Sequence, residues 1–113
     1  MKYVKTVVNC FEYGGARMKS LEEIKRILEE HKEGIRKRYG VVILGIFGSY
    51  ARGEQKKNSD VDILIETEKP IGLKFFELWE ELEKLLNCEV DLVREKLLRE
   101  EIKGEVMKEI VRI

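Results

Sequence analysis

Three aspartates are the residues of this sequence least explained by surface chemistry. Nineteen of the 22 acidic residues are Glu, and the only Asp residues are Asp60, Asp62 and Asp91. Asp disfavours strands, yet all three fall in stretches that read as strands. Asp60 and Asp62 are two apart, which places both carboxylates on one face of an extended segment. Carboxylates so close repel and raise each other's pKa unless a cation lies between them. A hard divalent ion, Mg²⁺ above all, relieves this, because it takes oxygen ligands and keeps positions open for water and phosphate. If Asp91 lies on a neighbouring strand and points the same way, three carboxylates converge. Such a triad can hold two metal ions, one activating the attacking oxygen and one steadying a leaving pyrophosphate.

Gly48-Ser49 supplies the complementary half. The glycine lets backbone approach a ligand closely, and a short helix capped by Ser49 aims free N–H groups at an anion. The Ser49 hydroxyl adds one hydrogen bond to a terminal phosphate. Arg52, then Lys56 and Lys57, are candidates to neutralise phosphate charge. Gly-Ser before a helix is by itself a turn, and an isolated Asp-x-Asp is a solvated strand edge. Their succession on strands, with a third Asp behind, points to a nucleoside triphosphate with magnesium. Tyr50 reads as packing, Trp79 with Phe75 and Phe76 as core or a protein contact, Cys88 as a small buried residue, and His31 as a half-buried or solvated helix residue.

The elements that must position these groups follow from periodicity. Ser20 and Glu23 form a capping box, and Leu21, Ile24, Ile27, Leu28 and Ile35 recur at helical spacing, predicting a helix from about Leu21 to Arg38. The apolar run Val41 to Phe47, interrupted only by Gly45, reads as a strand covered on both faces. Asp60 to Glu66 alternates apart from Leu64 and forms the second strand. After the Pro70 and Gly72 breakers, Leu73, Phe76, Trp79, Leu82 and Leu86 mark an amphipathic helix ending near Asn87. Glu89 to Val93 is a third strand. A last helix from about Glu95 carries Leu98, Ile102, Val106 and Ile110, with Gly104 as a break.

Composition bounds the function. The chain has 113 residues with 22 Lys plus Arg against 22 Asp plus Glu, so it makes one domain with no basic surplus for nucleic-acid backbone. No apolar run reaches membrane-spanning length and no signal-peptide pattern opens the chain, which predicts a cytoplasmic protein. Two cysteines and one histidine make neither a disulfide framework nor a zinc site. Charged residues make up 39% of the chain while amides are scarce, a pattern that predicts a thermophilic source. A melting temperature above the mesophile range of about 45–65 °C, read by calorimetry, is the expected result. Residues 1–17 lack this regularity and form an N-terminal extension, either a short edge strand through Val4, Val7 and Val8 or the product of a start site placed too early. Residues 18–113 form the domain.

Gly48-Ser49, ten residues, Asp60-Val61-Asp62 and then Asp91 in Glu89-Val90-Asp91-Leu92-Val93 resemble the signature of the DNA polymerase β-like nucleotidyltransferase superfamily. The string Phe47-Gly48-Ser49-Tyr50-Ala51-Arg52-Gly53 through Ser59-Asp60-Val61-Asp62-Ile63-Leu64 is similar to its minimal nucleotidyltransferase (MNT) branch. The implied fold is an α+β, two-layer domain with a small three-stranded mixed sheet and about four helices. The resemblance implies an antitoxin that transfers AMP from ATP to a tyrosine of a HEPN-type RNase toxin encoded by the adjacent gene. Gly48 and Ser49 would hold the triphosphate, Asp60 and Asp62 would bind Mg²⁺, and Asp91 would complete the metal site and help deprotonate the tyrosine. Larger members of the superfamily carry extra acceptor-holding domains, so the short length implies that a partner holds the acceptor. The alternatives are an antitoxin acting by binding alone, and an enzyme acting on a small molecule or an RNA end.

Overall fold

The computed structural model describes residues 19–56 and 59–113; the readings placed on residues 1–17 and on Lys57 lie outside them. The expected capping box forms: Ser20 Oγ accepts from Glu23 N–H at 3.2 Å, and Glu23 Oε1 accepts from Ser20 N–H at 3.1 Å. Helix α1 (Leu21–Tyr39) starts there and ends at Gly40, whose left-handed backbone donates its N–H to the Arg36 carbonyl. Strand β1 (Val41–Phe47) leads through Gly48 into the single turn α2 (Ser49–Arg52). Strand β2 (Val61–Thr67), helix α3 (Lys74–Leu86) and strand β3 (Val90–Arg94) make a parallel crossover unit. A 3₁₀ turn (Glu95–Leu97), helix α4 (Glu100–Glu109) and strand β4 (Val111–Arg112) follow.

The sheet order is β3-β2-β1-β4, with β1 antiparallel to both β2 and β4 and β2 parallel to β3. Among the described residues, four strands therefore replace the expected three. The added strand has only two residues, too few to leave a period in the sequence, and it exists because β1 offers it a partner. Gly104 does not break α4, since a glycine within a helix costs only about 1 kcal/mol. Ile110 lies beyond that helix, and Leu97 stands exposed on the preceding turn.

The core lies between the sheet and the pair α1 and α3. Ile24, Leu28 and Ile35 of α1 and Leu78, Trp79, Leu82 and Leu86 of α3 are buried with Val41, Ile43 and Ile46 of β1 and Val61, Ile63 and Ile65 of β2. Each such side chain contributes roughly 1.5–3 kcal/mol by leaving water. At the rim, the Glu81 carboxylate of α3 accepts from the Arg38 guanidinium and from Tyr39 Oη at 3.0 Å, tying α3 to the end of α1. The hydrogen bond from Arg38 holds Glu81 below the usual carboxylate range.

Strand β1 is not covered on both faces as its apolar run implied. Register passes from Ile43 opposite Ile65 to Gly45 opposite Leu64, so Leu44 is an extra residue, a β-bulge. Ile43 and Ile46, three apart, both reach the core, while Val42, Leu44 and Phe47 are half-buried. The bulge also places Gly45 under β4. A Cβ on Gly45 would lie 2.5 Å from the Val111 carbonyl oxygen and 2.7 Å from Ile110 Cγ1, so only a glycine admits β4 at this distance.

Candidate active site

Strand alternation decides which face carries the chemistry. In β2, Val61 and Ile63 are fully buried in the core, so Asp62 between them faces the other side of the sheet. In β3, Val90 and Leu92 do the same for Asp91. The parallel register sets Asp62 directly opposite Asp91, and the antiparallel register sets it opposite Phe47. Asp62 and Asp91 are thus neighbours on the face away from the helices, both half-buried. Asp60 is also half-buried but precedes β2 instead of belonging to it; pairing begins at Val61, whose N–H donates to the Glu89 carbonyl at 3.0 Å.

Three oxygen donors of this kind suit a hard divalent cation. Among the described residues, however, no three His, Cys, Asp or Glu side chains form a group able to hold a metal ion. In place of the expected three-way convergence, the structure sets Asp62 and Asp91 side by side in register and leaves Asp60 two residues upstream, before the strand begins.

Gly48 joins the two halves of the site. Its backbone angles, φ 77° and ψ −150°, lie in a region reserved for glycine. A side chain there would collide with Asp62 Oδ2 in addition. Gly48, not Ser49, occupies the capping position of α2, and no side chain caps that turn. This corrects the expected capping role of Ser49, which is the first residue of α2. The turn is closed by backbone: Arg52 N–H donates to the Gly48 carbonyl and Glu54 N–H to that of Ser49. Tyr50 points into the core and is fully buried, as packing required.

Arg52 is exposed and doubly paired. Its Nε donates to Glu54 Oε1 at 2.8 Å, and its Nη1 to Glu109 Oε2 at 3.2 Å and Oε1 at 3.3 Å. The Glu54 contact first, and Glu109 after it, raises the guanidinium above its ordinary pKa. Glu109 Oε1 also accepts from the Gly48 N–H at 3.0 Å. Glu109 was not among the residues singled out from the sequence. It lies 61 positions from Gly48 in a Glu-rich chain, and its one signal is an acid in the last turn of a helix, where the dipole disfavours negative charge.

Two hydrogen bonds that the sequence did not reveal, one of them from the core residue Trp79, fix the strand that carries Asp91. Val90 turns its backbone N–H and C=O towards α3: Glu83 Oε2 accepts from Val90 N–H at 3.0 Å, and Trp79 Nε1 donates to the Val90 carbonyl at 2.6 Å. Both side chains are buried. Trp79→Phe keeps a ring beside Phe75 but strips the carbonyl of this donor. The expected cost is about 1–3 kcal/mol, read as a lower urea midpoint at unchanged slope.

Comparison with known proteins follows this geometry closely. A family model described as a nucleotidyltransferase domain matches residues 28–113, which span both halves of the site. The protein adenylyltransferase MntA of Thermococcus cleftensis is 52% identical over 95 residues, covering 83% of this chain and 96% of that protein. A solved structure assigned as a minimal nucleotidyltransferase superposes with a TM-score of 0.72 at 34% identity, over 88% of this chain and 100% of that one. A crystal structure of a toxin-antitoxin with AMP-PNP superposes with a TM-score of 0.50 at 26% identity, over 69% of this chain and 59% of that one. No helix among the described residues is long and apolar enough to cross a membrane.

Proposed function

The chain belongs to the nucleotidyltransferase domain family, in its minimal branch, and from that premise we propose that it is a protein adenylyltransferase antitoxin. It transfers AMP from ATP to a tyrosine of a partner toxin of the HEPN RNase type and releases pyrophosphate. The observation that carries this reading is the register pair Asp62 and Asp91 beside Gly48: carboxylates on one side, and on the other the Gly48 N–H and the Arg52 guanidinium, both held on Glu109. The adenylyltransferase similar over most of both chains supports the reaction, and the toxin-antitoxin structure with its ATP analogue supports the kind of partner.

In this reading Gly48 N–H, Ser49 Oγ and Arg52 bind the terminal phosphates. The register pair Asp62 and Asp91 would hold Mg²⁺, with Asp60 drawn in from two residues upstream as a third ligand, and the ion when bound would offset the triphosphate charge and that of the leaving pyrophosphate. A tyrosine hydroxyl, with an unperturbed pKa near 10, is a weak nucleophile at neutral pH. Asp91 accepts its proton while the phenolate oxygen bonds to the α-phosphorus and the bond to the β-phosphate oxygen breaks. The carboxylates lie on the sheet face away from α1 and α3, where an acceptor borne by another protein can approach.

The test mixes the protein with labelled ATP, Mg²⁺ and the product of the adjacent gene. Label is expected on a tyrosine of that product and is expected to disappear with Asp60→Asn or Asp62→Asn. Toxin inhibition that persists unchanged in both variants would instead establish an antitoxin acting by binding alone. Label on a small molecule or an RNA end, with none on the partner, would move the acceptor to those classes.

A further inference from the structure

Two groups assigned above to the phosphates are already engaged by an anion of the chain itself. Glu109 closes α4, the helix that buries only Val106, and β4 follows it after Ile110 to pair with Gly45 and Ile46. Its carboxylate is held at the Gly48 N–H and at Arg52 Nη1, with about a quarter of the side chain exposed. A negative group at a helix C-terminus is disfavoured by the helix dipole, so these partners, not α4, hold it in place. A carboxylate and a phosphate place similar oxygens before an N–H and a guanidinium. The two cannot use the same donors together.

We propose that Glu109 is an internal competitor for the polyphosphate: it occupies the Gly48 N–H and Arg52 in the empty protein, yields to the triphosphate, and returns as pyrophosphate leaves. This rests on the nucleotidyltransferase reading. Competition of this kind weakens every ligand whose phosphates enter the Gly48–Arg52 subsite by the same factor. Ligands that do not reach it are untouched. ATP and pyrophosphate belong to the first class, while AMP, which lacks the leaving phosphates, belongs to the second. The residue therefore lowers ground-state affinity for substrate and shortens retention of the product that must depart first.

The experiment titrates the full chain with ATP, inorganic pyrophosphate and AMP by calorimetry in the presence of Mg²⁺. Glu109→Gln and Glu109→Ala are expected to tighten ATP and pyrophosphate binding by one common factor, on the order of 5- to 30-fold, with AMP unchanged within about twofold. Glu105→Gln removes one negative charge from an exposed position of the same helix and is expected to leave all three affinities unchanged. Gly45→Ala provides an independent route. Its Cβ meets the Val111 carbonyl and lifts β4, drawing an intact Glu109 away, and ATP binding is expected to tighten as well. Thermal unfolding accompanies each variant to fix the folded fraction. ATP affinity that is unchanged or weaker in folded Glu109 variants overturns the competitor while leaving the active-site reading intact. Equal tightening of AMP, or the same gain in Glu105→Gln, shows a long-range charge effect and overturns it too. Absence of ATP binding in the wild type and every variant overturns the nucleotidyltransferase reading along with it.

Discussion

Asp62→Asn is expected to lower AMP transfer by about 10³-fold while the protein stays folded. The substitution keeps size and shape, removes the charge and replaces one acceptor oxygen by an NH₂ donor. Charge stabilisation at a phosphoryl-transfer centre is worth several kcal/mol, and each 1.36 kcal/mol is a factor of ten in rate, so a loss near 4 kcal/mol is the scale to expect. Stability is insulated from the change because β2 is fixed by its neighbours. Val61 and Ile63 on either side are fully buried, and β2 is paired on both edges. The check is the initial rate of label transfer at saturating ATP, with a thermal melt of the same sample. A rate within tenfold of the wild type, in a folded variant, would remove Asp62 from the chemistry.

Gly48→Ala is expected to damage stability and activity together. Backbone angles of φ 77° and ψ −150° cost a non-glycine residue about 1–3 kcal/mol. The new methyl group also meets the Asp62 carboxylate, so either the β1 turn or Asp62 must move. Gly53→Ala separates the two effects. Gly53 also has a positive φ, 72°, in the milder left-handed helical region, and a Cβ there meets no heavy atom within 4 Å. That variant is expected to lose about 1–2 kcal/mol of stability with transfer activity retained. Denaturant unfolding and the transfer assay, run on both alanine variants, give the comparison. Equal retention of activity in the two would show that the contact between Gly48 and Asp62 has no catalytic consequence.

The parts of the site legible in the sequence are those fixed by short-range rules. Period-2 alternation around Asp62 and Asp91 placed both side chains on the face opposite the core residues, and only parallel pairing of β2 with β3 was needed to make them neighbours. Gly48 was legible as a close-approach glycine, although what approaches it within the chain is Asp62. Ser49 was assigned to capping because Ser is a common cap; the left-handed backbone at Gly48 took that position first. The bulge at Leu44 had no signal, since seven nearly uniform apolar residues carry no phase. Glu109, Glu83 and the hydrogen bond of the core residue Trp79 were illegible for another reason. Each acts on backbone groups brought close by folding alone, and two of the three are glutamates in a chain that has 19 of them.

The caps that Glu83 and Trp79 place on Val90 also bear on how another chain can attach. Sheets recruit partners most simply by adding a strand to a bare outer ladder. Here one outer strand, β3, starts with its first backbone groups already taken by α3 and runs into a 3₁₀ turn after five residues. The other, β4, is two residues long. Among the described residues, the two outer strands therefore offer an extended peptide only a short run of ladder. Under the proposed function, a partner toxin would then be read mainly through side chains and surface shape, which is the kind of recognition that can tell one partner from its homologues.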